Sequence, residues 1–135
     1  MFVIKNKYFL IIENTKDIDL ENIKIRNKFW LIYRNYKKVE KIEDLLRFRL
    51  KCKSKGVRLF IANNIKIANS INADGIYLSS FNKELKFLSF KKSNFEIIGS
   101  AHNFNEISTK VKQGCSEILL SKLFVVDYDK KSPCL

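Results

Sequence analysis

Residues able to do chemistry in this chain stand where short apolar runs stop. RLFIA (Arg58–Ala62) breaks into Asn63 and Asn64, and GIYL (Gly75–Leu78) breaks into Ser79 and Ser80, with Asn82 just beyond. FWLIY (Phe29–Tyr33) ends at Arg34, and FEIIG (Phe95–Gly99) ends at Ser100, followed by His102, the only histidine. An arginine at a strand end offers a fixed positive charge to a phosphate. A neutral imidazole gives and takes protons near pH 7. Taken singly, each has a plainer reading: Arg34 as a surface charge, the Asn pair as a βα turn or helix cap, Ser100 as a small core residue, His102 as a solvated side chain.

These residues need a scaffold that gathers strand ends. Arg58–Ser80 reads strand, polar turn, short helix, Ala-Asp-Gly turn, strand, which is a βα repeat. The alternation continues along the chain, with strands at Tyr8–Ile12, Phe29–Asn35, Val57–Asn63, Gly75–Ser79, Phe95–Ala101 and Cys115–Ser121. Residues 15–27 read as a poor helix. Val39–Lys55 reads as a helix with Ile42, Leu45, Leu46, Leu50 and Cys52 on one face and Gly56 as its terminating glycine. Phe81–Phe90 reads as a short amphipathic helix, and Asn103 caps a further helix that ends at Gly114. The tail LFVVDYDKKSPCL reads as a loop. Six such alternations predict an all-parallel α/β sheet, either a barrel or doubly wound. In both, chemistry collects at the carboxyl ends of the strands.

A chain of 135 residues suits one domain. Its 46% hydrophobic and 30% charged residues exclude a disordered chain. No apolar run is long enough to span a bilayer, and MFVIKNKYFLII mixes Lys into its apolar residues without a small-residue cleavage site, so the expectation is a cytoplasmic protein with no membrane partner. Cys52, Cys115 and Cys134 form neither a CxxC pair nor a zinc spacing and read as free thiols of a reducing compartment. The net charge is +12, but the Lys residues are scattered through a background rich in Ile and Asn. The expected partners are therefore phosphorylated small molecules, with no nucleic acid. GxGxxG and Walker A patterns are absent, which argues against dinucleotide and P-loop chemistry.

In their order, the strand ends IYRN, IANN, ADGIYLSS, GSAH and LLSKLF…DKKSP resemble the thiamine-phosphate synthase family, whose relatives include the thiazole tautomerases. The resemblance runs from about Tyr8 to Leu135. It implies a (βα)8 barrel that joins a pyrimidine-methyl pyrophosphate to a thiazole phosphate and releases pyrophosphate, with Mg²⁺ and basic side chains on the leaving group. By the same resemblance, Arg34 falls at the pyrophosphate-binding position. Asn63 falls at the pyrimidine position, and Ser79 joins them in substrate binding. Ser100 and His102 match a Ser-x-His catalytic motif, and Lys130, ahead of Lys131, fills the role of a catalytic loop lysine. Asn64 and Asn82 stand at the two metal positions.

The departures shape the expectation. Asn64 and Asn82 replace carboxylates, so Mg²⁺ should be held weakly. Tyr36 stands where the family has Lys, with Lys37 and Lys38 directly after it. The chain reaches KSPCL where the family begins its seventh strand, and a complete barrel needs about 200 residues or more. The expected architecture is a partial (βα)8-type barrel over residues 1–135, truncated at its carboxyl end, with about six βα units. Its open edges should favour self-association and marginal stability. The expected function is thiamine biosynthesis as a synthase-like protein of weak or no activity. Two alternatives stand beside it: thiazole tautomerase-type proton transfer through His102, and a non-catalytic fragment that binds phosphorylated ligands or a partner chain.

Overall fold

The computed structural model describes residues 2–4, 7–24, 26–90 and 94–120. Its strands are β1 (Phe2–Ile4), β2 (Lys7–Ile12), β3 (Phe29–Tyr33), β4 (Arg58–Ala62), β5 (Gly75–Leu78), β6 (Glu96–Ser100) and β7 (Glu117–Leu119). The α-helices are α1 (Ile42–Ser54), α2 (Ile65–Ser70) and α3 (Phe104–Lys112). The sheet order is sequential from β1 to β7. Six strands, β2 to β7, are parallel and alternate with helical segments, the α/β arrangement of an incomplete (βα)8 barrel. By its internal contacts the chain divides into two compact units, Met1–Ile76 and Tyr77–Leu135.

In the first unit, β2, β3 and β4 run parallel, with Ile12 opposite Tyr33 and Tyr33 opposite Ile61. The nearly unbroken apolar sequences of β3 and β4 fit parallel strands buried on both faces, whereas β2 fully buries only Phe9 and Ile12. Phe9, Trp30 and Phe60 form an aromatic row, with centroids 5.3 and 5.0 Å apart. Lys7 and Arg58 lie 4.2 and 4.7 Å from the Trp30 ring centroid, where a cation meets the negative face of the indole.

The sequence reading began with Tyr8–Ile12, but the structure adds β1 ahead of it, antiparallel to β2. The expected open edge at the first parallel strand is therefore paired along Lys7–Phe9. The poor helix of residues 15–27 is reduced to two 3₁₀ turns, Thr15–Asp17 and Leu20–Asn22. The reason is local: the Asn14 and Asp19 side chains accept from the N–H groups of Lys16 and Glu21 at 2.9 and 3.0 Å, which favours short turns over a continuing helix.

Helix α1 starts at Ile42 rather than Val39, and its buried face is Leu45, Phe48, Arg49 and Cys52, the i, i+3, i+4, i+7 set. Ile42, Leu46 and Leu50, read from sequence as part of that face, are exposed. Gly56 closes the helix in the left-handed region at φ +69°, as the sequence indicated. Burial pushes the Cys52 thiol up to about 12, which fits an inert structural cysteine. Buried Arg49 donates from Nε to the Asn72 carbonyl at 2.8 Å and from Nη2 to Asp74 Oδ1 at 3.2 Å. Asp74 Oδ2 accepts from the Leu59 N–H at 2.8 Å, so this ion pair ties α1 and the turn before β5 to β4.

In the second unit, β6 and β7 are parallel, with Gly99 opposite Ile118 and Ser100 opposite Leu119. The helix expected over Phe81–Phe90 shrinks to a 3₁₀ segment at Lys86–Phe90. Asn82 is the cause: its Oδ1 accepts from the Glu84 N–H at 3.0 Å and its own N–H donates to the Ser79 carbonyl at 3.0 Å, which makes a turn. Helix α3 is capped by Asn103, as read, but buries Lys110 and Gln113 while Phe104 and Val111 are 88% and 62% exposed. The residues after Leu120, and with them Ser121, Lys130, Lys131 and the tail read as a loop, lie outside the described residues.

Candidate functional site

Each expected site residue in the described chain lies at or beyond the carboxyl end of a parallel strand. In the first unit these are Arg34 after β3, and Asn63 and Asn64 after β4. A cleft of about 270 Å³ opens at these two strand ends, lined by Tyr33, Asn35, Tyr36, Val39, Ile61, Ala62, Asn63, Asn64 and Ile67. It takes Asn63 and Asn64 from the expected set but not Arg34. Tyr33 and Arg34 are consecutive, so strand alternation sends their side chains to opposite sides. Arg34 continues the ladder by donating its N–H to the Ile12 carbonyl at 2.8 Å, and its guanidinium lies 6.0 Å from the ring of Tyr36. Tyr36 thus both lines the cleft and lies near the cation.

The cleft wall is shaped by two local devices. Asn35 accepts from the N–H groups of Lys37 and Lys38 at 3.0 and 2.9 Å and donates to the Glu13 carbonyl at 2.9 Å, which fixes the turn that presents Tyr36. Tyr33 accepts from the Glu40 N–H at 3.2 Å, and burial pushes its phenol above the ordinary 10.0, so it stays neutral. Asn63 adopts φ +59°, a left-handed conformation that Asn tolerates better than most residues. A larger groove of about 480 Å³ runs between Thr15–Glu21 and α1, beside the shortened crossover. Its lining mixes Lys16, Arg47 and Lys51 with Asp19, Glu21, Glu40 and Asp44 and presents no field of one sign.

In the second unit, Ser79 follows β5, Ser100 ends β6 and His102 follows it. Ser100 is buried and its Oγ accepts from the Tyr77 hydroxyl at 2.8 Å. His102 is 38% exposed in its side chain. The Glu106 carboxylate accepts from the His102 N–H at 2.6 Å and lies 3.6 Å from its Nδ1. Glu106 is held in turn by its N–H donating to Asn103 Oδ1 at 2.9 Å. The sequence reading missed Glu106, although Asn103-x-x-Glu106 has the spacing of a capping box. It also missed Lys110 and Gln113, which no motif marked, and it gave no site role to Tyr33 and Tyr77, although they lie within IYRN and ADGIYLSS.

Mg²⁺ prefers charged oxygens in octahedral array. Asn64 Oδ1 accepts from the Ile67 N–H at 3.0 Å as the cap of α2, and Asn82 Oδ1 accepts from Glu84 N–H, so neither amide oxygen adds charge and both serve the backbone. Among the described residues no group of three or more His, Cys, Asp and Glu could hold a metal ion. Asn64 and Asn82, as placed among the described residues, do not offer the charged oxygens that Mg²⁺ prefers.

Lys110 is fully buried, and its Nζ donates to the Asn82 carbonyl at 2.8 Å, beside Gln113 Nε2 at 3.0 Å. Burial pushes the ammonium below its ordinary 10.5, while Cys115 and Glu106 pull it partly back. Between the lowered value and 10.5 the unfolded chain binds more protons than the folded one, so this group makes stability rise with pH across that window. Urea unfolding of the native chain and of Lys110→Met at a series of pH values should show the difference, native minus variant, climbing towards pH 10.5 and then levelling. A flat or falling difference would rule out a buried, destabilised ammonium.

No family model matches the chain, and no curated protein matches it. Among solved structures, the chain is similar to the thiamine phosphate pyrophosphorylase from Pyrococcus furiosus, with a TM-score of 0.50 and 15% sequence identity. The match covers 67% of this chain and 45% of that one, so it spans under half of the neighbour's length. At this identity the likeness shows the fold. No helix among the described residues is long and apolar enough to cross a membrane.

Proposed function

We propose that this chain is a thiamine-phosphate synthase-like protein that binds a phosphorylated pyrimidine in the cleft at the ends of β3 and β4, with little or no release of pyrophosphate. The cleft itself is the main support. Its volume of about 270 Å³ suits one heterocyclic ring rather than two joined rings, and Tyr33, Tyr36, Asn63 and Asn64 give it aromatic and amide walls. In this reading the anionic group of that ligand lies beyond Tyr36, on the side of Arg34, whose guanidinium lies 6.0 Å from the Tyr36 ring. Weak turnover follows from the amides at the positions of Asn64 and Asn82, which leave the departing pyrophosphate without a metal to neutralise it.

Calorimetric titration with pyrimidine-methyl pyrophosphate and with the unphosphorylated pyrimidine tests this reading. Tyr36→Ala should weaken both ligands. Arg34→Met should weaken the pyrophosphate by roughly tenfold to a hundredfold, the worth of a charge-assisted contact, and spare the other. Added Mg²⁺ should change neither affinity much. No saturable binding, or binding indifferent to both substitutions, would refute the proposal.

One observation favours a second reading, proton transfer on a thiazole phosphate: the Glu106 carboxylate placed 3.6 Å from His102 Nδ1. A carboxylate there orients the imidazole, and the chemistry needs no metal. It predicts deuterium uptake from solvent into a thiazole phosphate, lost in His102→Gln. Uptake that persists in that variant removes His102 from the reaction.

A further inference from the structure

In a closed (βα)8 barrel the first parallel strand pairs on one side with the second and on the other with the last. Here the first parallel strand is β2, and its other side carries β1 in antiparallel sense, with Phe2 opposite Phe9, Val3 opposite Tyr8 and Ile4 opposite Lys7. The Tyr8 N–H donates to the Lys28 carbonyl at 2.7 Å, so Tyr8 faces β3, and by alternation Lys7 and Phe9 turn their N–H and C=O groups towards β1. The pairing covers three of the six residues of β2, its amino-terminal half. Of the remaining residues, alternation turns only the backbone groups of Ile11 outward, too few for a strand ladder.

We infer that β1 is an edge cap: it holds the side of β2 on which a barrel would close and on which a second copy of this chain would add a strand. A parallel partner can pair along β2 only by displacing it. An unpaired parallel edge strand is a template for association, and a short antiparallel strand laid on it removes the template. This inference is independent of the ligand reading above, because none of the residues in β1 or β2 lines the cleft.

The test uses the full chain, a variant lacking residues 2–6, and Ile4→Pro, which removes an N–H directed at β2 and disrupts the pair. Amide hydrogen exchange by NMR should show Phe9 protected in the native chain and unprotected in both variants, while Leu10 and Ile12, directed at β3, keep their protection. Sedimentation over a range of concentrations should show self-association in both variants beyond that of the native chain. Phe9 already unprotected in the native chain would overturn the inference, as would both variants associating no more than the native chain. Loss of protection at Leu10 and Ile12 together with Phe9 would overturn it as well, since β1 would then hold up the whole unit rather than cap one edge.

Discussion

Replacing Asp74 by Ala is expected to cost the first unit about 3 kcal/mol, the lower end of what is lost when one partner of a buried ion pair is removed. The arrangement explains the size. Arg49 has a side chain only 9% exposed, and Asp74 is its charged partner at 3.2 Å. Without Asp74 the guanidinium keeps the Asn72 carbonyl but loses its counter-charge, and the Leu59 N–H loses its acceptor at the start of β4. Arg58, 3.9 Å from the same carboxylate, loses a partner too. Asp74→Asn keeps a carbonyl oxygen for the Leu59 N–H and should cost less, about 1–2 kcal/mol. Combining Asp74→Ala with Arg49→Met should recover part of the loss, because the unpaired buried charge goes with the arginine. Urea unfolding of the four proteins measures all of this. A single-variant loss below about 1 kcal/mol would mean the pair behaves as an exposed one.

Gly99→Ala should destabilise the second unit by about 1–3 kcal/mol, the usual range for overpacking, and towards its upper end. A Cβ there would stand 2.7 Å from Lys110 Cδ, 2.9 Å from the Leu78 carbonyl oxygen and 3.1 Å from Cys115 Sγ. The lysine stem could shift, but the Leu78 oxygen belongs to the backbone of β5 and cannot move without disturbing that strand. Gly99 is needed for close approach rather than for an unusual backbone angle. Adding Lys110→Ala to Gly99→Ala should therefore rescue little. Thermal and urea unfolding of Gly99→Ala decide the matter, and a loss below about 0.5 kcal/mol would show that the backbone of β5 at Leu78 yields freely to the added methyl.

The alternation of apolar runs with polar turns was enough to specify a parallel α/β fold, while the barrel order of its strands was implied only by the resemblance. Continuous burial of β3, β4 and β5 needs runs such as FWLIY and GIYL, and their ends place Arg34, Asn63, Ser79 and Ser100 after strands wherever the strands go. Gly56 and Asn103 marked helix ends because φ > 0 and N-capping are local demands. What the tertiary structure decided is which neighbour each polar group meets. Arg34 and Tyr33 part company because consecutive strand residues face opposite ways, so Tyr36 rather than the arginine lines the cleft. The amides of Asn64 and Asn82 were read as metal positions, but their oxygens are taken by N–H groups two or three residues on. Helix α3 turns Lys110 and Gln113 inward and Phe104 and Val111 outward because both inward side chains find the Asn82 carbonyl, 28 and 31 residues away in sequence. β1 lies on β2 although no apolar alternation beyond the first few residues announced it. Periodicity reports which residues prefer burial and at what spacing. A hydrogen-bond partner brought in from a distant strand or loop satisfies a polar group without leaving any period in the sequence, and that is why these features appear only once the chain has folded.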